Sequence, residues 1–226
     1  MGYVVEAAIT PKAAAKLLIS GEIDILIDWN VNTVRKVLDE LSALSIDEIL
    51  GIIDCNCYGD VADVKQIPQF GKIETIEKVT CYFIAQGQCS ADYPQMGFYL
   101  KQDVNATLVA NTKFGENHGK AAAILGIAAC VDKRIVPSAL TTAFCSLEEK
   151  EREEILSKLM FRVPIVQIIL KAAGKQKVNG YAPMEQLKES TRLRRGQSIR
   201  AILKILNRYQ NKELDKRLKN VVWEET

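Results

Sequence analysis

The clearest periodicity in the chain lies near its C-terminus, where Ile199, Ile202, Leu203 and Leu206 recur at i, i+3, i+4 and i+7. That spacing predicts a helix with one apolar face, and Arg200, Lys204, Asn207, Arg208 and Asn211 share the opposite one. Upstream, Pro164 opens a helical run carrying Ile165, Ile168, Ile169 and Ala172, and Pro183 a shorter one carrying Met184 and Leu187. Residues 191–198 read as a turn before the last helix, with Gly196 relaxing the backbone and Ser198 as N-cap. Arg192, Arg194 and Arg195 then gather near the positive end of a helix dipole.

Earlier in the chain, Thr10-Pro11 opens a helix over 12–20 that stops at Gly21, followed by an ambiguous apolar stretch at 22–29. Val34, Val37, Leu38, Leu41 and Leu44 predict a helix over 31–44 capped by Asn30 or Asn32. Ser45 and Glu48 have the spacing of a capping box for a short helix. Beyond it the β-branched content predicts strands at 49–58, 72–86, 96–101 and 107–114, parted by glycine, proline and asparagine turns. From Gly119 the pattern is helical again, over 120–131, over 137–144 and after a Ser146/Glu149 capping box. The apolar triplet Val221-Val222-Trp223 fits a last strand, a wing edge or a docking patch. The expected fold is α+β, with N-terminal helices and a mixed or antiparallel sheet over 1–113 and a helical domain over 114–226.

Composition is that of an ordinary globular protein of 226 residues, 48% hydrophobic, and its net charge of +2 hides an asymmetry. From Ile155 onward sixteen basic residues face six acidic ones, a net of +10, which leaves −8 for residues 1–154. Such a split points to a polyanion partner for the C-terminal part alone. Six cysteines follow no signal-peptide pattern and include no C-x-x-C, so they are expected reduced, buried as small apolar side chains, in a cytoplasmic protein. No apolar run is long enough to span a bilayer.

Helix, short helix, turn and basic amphipathic helix is the order found in helix-turn-helix and winged-helix DNA-binding modules, which residues 155–226 resemble in pattern. Asn32-Thr33-Val34-Arg35-Lys36-Val37-Leu38 with Glu40-Leu41 is similar to the third helix of many winged-helix proteins. The resemblance implies duplex DNA binding with some sequence preference, by a transcription regulator or the recognition component of a restriction or other DNA-processing system, with a homodimer as the assembly and no cofactor. The expected DNA-binding residues are Arg192, Arg194, Arg195, Gln197, Ser198, Arg200, Lys204, Asn207 and Arg208.

Two other chemistries fit parts of the chain. Asp54, Asp63 and Lys65 resemble the acid and acid-x-lysine layout of restriction-type nucleases, in which two carboxylates hold Mg and the lysine positions a water. As a further alternative the basic face meets an acidic protein, making the chain an adaptor. The segment Gly115-Glu116-Asn117-His118-Gly119-Lys120 fails as a phosphate loop, having three residues between its glycines and Ala121 after the lysine. His118, the sole histidine, reads as a capping or hydrogen-bonding residue at a helix start.

Overall fold

The computed structural model describes residues 9–23, 29–57, 59–70 and 72–224. Helix α1 (Pro11–Ser20) begins where Thr10 accepts the Ala13 N–H at 3.2 Å and ends at Gly21, whose φ of 80° is left-handed. α2 (Val31–Ala43) is capped by Asn30 and buries Val34, Val37, Leu38 and Leu41 along the predicted stripe. α3 (Ile46–Cys55) opens on the reciprocal Ser45–Glu48 capping box. Of the apolar stretch at 22–29, residues 24–28 lie outside the described residues.

The sheet expected between 49 and 114 is replaced by helices. Residues 49–55 are the body of α3, 72–86 become α4 (Ile73–Gln86), 96–101 lie in α5 (Tyr93–Lys101), and 107–114 open α6 (Leu108–Ile124). In α4 the buried residues Ile76, Val79, Thr80 and Phe83 recur at i, i+3, i+4 and i+7. The helical period thus prevails over β-branched content, because one buried stripe satisfies packing wherever the backbone bonds internally. α5 and α6 pack so closely that a Cβ on Gly97 would stand 1.8 Å from the Asn111 carbonyl oxygen, and one on Gly115 2.0 Å from that of Tyr93. Side chains at those two positions would force the helices apart.

The strands that do form are short. β1 (Ala91–Asp92), β2 (Ala129–Val131) and β3 (Arg134–Val136) make an antiparallel sheet in the order β1-β3-β2, with Ala91 and Cys130 both opposite Ile135. The helix expected over 120–131 therefore stops at Ile124, and Gly126 (φ 76°) turns the chain into β2. α7 (Ala139–Cys145) and α8 (Glu149–Leu159) follow. The box opening α8 is Glu148/Glu151, two residues from the expected one, while Ser146 closes α7 by donating to the Ala143 carbonyl at 2.7 Å.

α9 (Pro164–Ala173), β4 (Val178–Asn179), α10 (Glu189–Leu206), α11 (Lys212–Asn220) and β5 (Val221–Val222) complete the chain. β4 and β5 pair in parallel, Val178 opposite Val221, so the apolar triplet at 221–223 supplies a last strand. The protein is mostly helical with a small antiparallel sheet, an α+β fold at the coarse level. Its buried apolar residues form one cluster reaching from Ala14 to Leu214, and the expected boundary between 113 and 114 falls inside α6.

Long-range polar ties join the C-terminal helices to the first three. Lys158 donates to the Leu44 carbonyl at 2.8 Å, and Gln167 to the Ile19 carbonyl at 2.7 Å. Arg217 grips both Asp54 oxygens at 2.7 and 2.8 Å. Each tie satisfies a polar group that burial would otherwise leave unpaired.

Candidate nucleic-acid interface

The turn expected at 191–198 does not exist, because these residues lie within the 18-residue helix α10. Gly196 serves packing there. A Cβ on it would meet Tyr181 Cε1 at 2.5 Å, so the glycine makes room for the Tyr181 ring. Ser198 is buried, accepting the Phe70 N–H at 3.3 Å and donating to the Phe70 carbonyl at 3.2 Å. It ties α10 to the loop before α4 and does not cap a helix.

A continuous α10 also sorts the expected DNA-binding residues onto different faces. Gly196, Ser198, Ile199, Ile202, Leu203 and Leu206 define the buried side. Arg195 lies toward that side, where its guanidinium donates to the Ile67 carbonyl, and Arg192 stands 5.9 Å from the Tyr181 ring centre. Arg200 donates to the Tyr181 hydroxyl at 2.7 Å and stacks 4.8 Å from the Trp223 ring centre. Tyr181 and Trp223 meet edge to face at 5.0 Å, which makes Arg200 part of a clasp holding the C-terminal strand to α10.

What remains outward is a stripe. Arg194, Gln197, Ala201 and Lys204 follow one another at helical spacing, continued by Arg208 in the 3₁₀ turn Asn207–Tyr209. All but the half-buried Ala201 are exposed, and the span is roughly 21 Å at 1.5 Å per residue. Asn207 is exposed beside this stripe. Arg208 makes an ion pair with Glu153 at 3.1 Å, worth little at such exposure.

Arg194 also belongs to a second feature, a cleft of about 480 Å³ between α10, α6 and the 3₁₀ turn Val64–Gln66. Five cations line it, Lys65, Lys113, Lys120, Arg194 and Arg195, against the single carboxylate of Glu116. Lys113 and Lys120 bind Glu116 at 2.8 and 2.6 Å and hold its carboxyl below the usual range. Among the described residues no carboxylate pairs with Lys65, Arg194, Arg195 or Lys204. Burial first, and then the charge of Arg194, lowers the pKa of Arg195.

The rejected phosphate-loop segment and the acid-x-lysine segment thus both supply lysines to this cleft, but neither in the backbone setting its motif requires. Residues 115–120 are an interior stretch of α6, and His118 is a buried mid-helix residue, its Nδ1 2.9 Å from the Phe114 carbonyl oxygen. Burial lowers the His118 pKa. Asp63 caps the 3₁₀ turn by accepting the Lys65 N–H at 2.8 Å, whereas Asp54 spends both oxygens on Arg217. Asp54 is thus committed to Arg217 and Asp63 to the turn cap, and no group of three His, Cys, Asp or Glu side chains able to hold a metal occurs among the described residues.

The cysteines, expected buried, are exposed at Cys55, Cys57 and Cys89 and half-buried at Cys81, Cys130 and Cys145. Cys55 ends α3 and Cys57 lies in the loop after it. Packing of α4 on α7 sets Cys81 beside Cys145, and the interaction between the two thiols lowers the Cys81 pKa and raises that of Cys145. Sequence carries no signal for that pair, 64 positions apart. Among the described residues no helix is long and apolar enough to cross a membrane. Compared with known proteins, the chain matches no family, no curated protein and no solved structure.

Proposed function

We propose that the protein binds duplex DNA through the outward stripe of α10, with a degree of sequence preference, as a regulator or the recognition component of a DNA-processing system. The observation that carries this reading is the row Arg194, Gln197, Lys204 and Arg208, cationic and polar side chains on the exposed face of the 18-residue helix α10 and the 3₁₀ turn that continues it. Lysine and arginine neutralise phosphates and release counterions, while Gln197 and Asn207 can bond with base edges. The order of α9, the 3₁₀ turn Ala182–Met184 and a long basic helix, with β4 and β5 beside them, supports a winged-helix-like module.

Arg192 and Arg195 are half-buried and Arg200, though exposed, is engaged by Tyr181 and Trp223, so three cations of the stripe are left for phosphates: Arg194, Lys204 and Arg208. The logarithm of affinity should then fall with the logarithm of salt at a slope of about −3. Fluorescence anisotropy of a labelled duplex, titrated at several salt concentrations with wild type and a Lys204→Ala/Arg208→Ala variant, measures it. A shallower slope in the variant supports phosphate contact by this face. A flat wild-type response, or equal slopes in both proteins, removes DNA from this face.

A further inference from the structure

The cleft beside α10 has a chemistry that a helix lying along a duplex does not need. Its wall is partly apolar, with Val64, Ile67, Pro68, Ala123 and Ile124, and it carries the amides of Gln69 and Asn117. Its volume, about 480 Å³, is that of small-molecule sites. A phosphodiester backbone gains nothing from an apolar wall, whereas a flat heterocyclic ring does. The five lining cations exceed the one carboxylate by four, which suits the roughly three to four negative charges of a di- or triphosphate. Arg195 is crowded by Arg194, and its Nε is buried without a hydrogen-bond partner. A polyanion would relieve that unbalanced charge.

We infer that the cleft binds a nucleoside polyphosphate, with the phosphates among Lys65, Lys120, Arg194 and Arg195 and the ring against the half-buried Val64 and Ile124. Gln69 and Asn117 offer both donors and acceptors to the ring edge or the sugar hydroxyls. The site shares Arg194 with the α10 stripe, but Lys65 and Lys120 lie outside the stripe and Lys204 lies outside the cleft, so variants at these lysines tell the two apart.

Calorimetric titration of the full chain without divalent cations, using ADP, AMP, adenosine and pyrophosphate, tests it. ADP should bind about tenfold more tightly than AMP and than pyrophosphate, and adenosine weakest of the four. Lys65→Ala and Lys120→Ala should each weaken ADP about tenfold with the helical circular dichroism retained, while Lys204→Ala leaves ADP affinity unchanged. Pyrophosphate binding as tightly as ADP overturns the ring contact, and ADP affinity unmoved by both lysine variants places any site elsewhere. Absence of ADP binding at millimolar concentration ends the proposal. A 5′-phosphorylated dinucleotide that displaces ADP more strongly than ATP does would assign the cleft to strand ends, against a free nucleotide. Loss of duplex binding alone, with ADP titrations as expected, would count against the α10 stripe and leave the cleft standing.

Discussion

Replacing Arg200 by alanine separates a residue that reads DNA from one that holds the C-terminus in place. The guanidinium donates to the Tyr181 hydroxyl at 2.7 Å and lies 5.4 and 4.8 Å from the ring centres of Tyr181 and Trp223. A partly buried hydrogen bond contributes about 1 kcal/mol and a cation–π contact at an accessible site about 0.5 to 1 kcal/mol. Truncation should therefore cost about 2 kcal/mol, which for a chain of this length lowers Tm by roughly 4–8 °C. Trp223, one of two tryptophans, reports the change directly, since loss of its cationic neighbour alters its fluorescence. Arg200→Lys should recover only part of the stability, because an ammonium keeps the charge but lacks the planar face and fork. Lys204→Ala is the contrast: its side chain is exposed and pairs with no carboxylate among the described residues, so stability should change by less than about 0.5 kcal/mol while the DNA salt slope becomes shallower by about one. Urea denaturation followed by tryptophan fluorescence, beside duplex titrations, gives both quantities. If Arg200→Ala unfolds at the wild-type midpoint yet loses sequence preference, the clasp is absent in solution and Arg200 faces DNA.

Gly196→Ala should destabilise the protein by about 1–3 kcal/mol, the reverse of the usual gain in a helix interior, because the new methyl group meets Tyr181 Cε1 at 2.5 Å; a raised Tm would show that the ring gives way. Ser198→Ala leaves the buried Phe70 N–H and carbonyl without their partner and should cost about 2 kcal/mol in urea unfolding while leaving the DNA salt slope unchanged; a changed slope at constant stability would return Ser198 to the interface. The hydrogen bonds from Arg217 hold the Asp54 carboxyl below its usual range, so this pair stabilises the fold above about pH 4 and the contribution is lost as pH falls through the depressed folded value. Urea midpoints of wild type and Asp54→Asn should accordingly converge in acid, and a gap constant from pH 2 to 7 would contradict the linkage. The neighbouring Cys145 thiol keeps the Cys81 thiol below the ordinary range, so the pH midpoint of Cys81 alkylation, read by peptide mass analysis, should rise in Cys145→Ala; an unmoved midpoint would break the pairing.

Sequence by itself determined the helices whose ends and faces are written locally. Thr10-Pro11 and Gly21 bound α1, Asn30 and the stripe Val34, Val37, Leu38, Leu41 define α2, the Ser45/Glu48 box opens α3, and the apolar face of Ile199, Ile202, Leu203 and Leu206 is the buried face of α10. These features arise between residues three or four apart, which a single stretch contains. Local composition misled at 72–86 and 107–114, where β-branched residues stand in helices whose buried stripes are set by neighbours elsewhere in the chain. Tertiary structure alone decided which arginines of α10 are free: Tyr181 and Trp223 claim Arg200, the Ile67 carbonyl takes Arg195, and Arg194 is left to solvent. It alone placed Lys65, Lys113 and Lys120 around Arg194, from segments as much as 129 positions apart. Charge composition shows that a basic surface exists, but the cleft is made by packing α6 and the 63–70 loop against α10, and no local pattern in any of the three segments specifies that meeting.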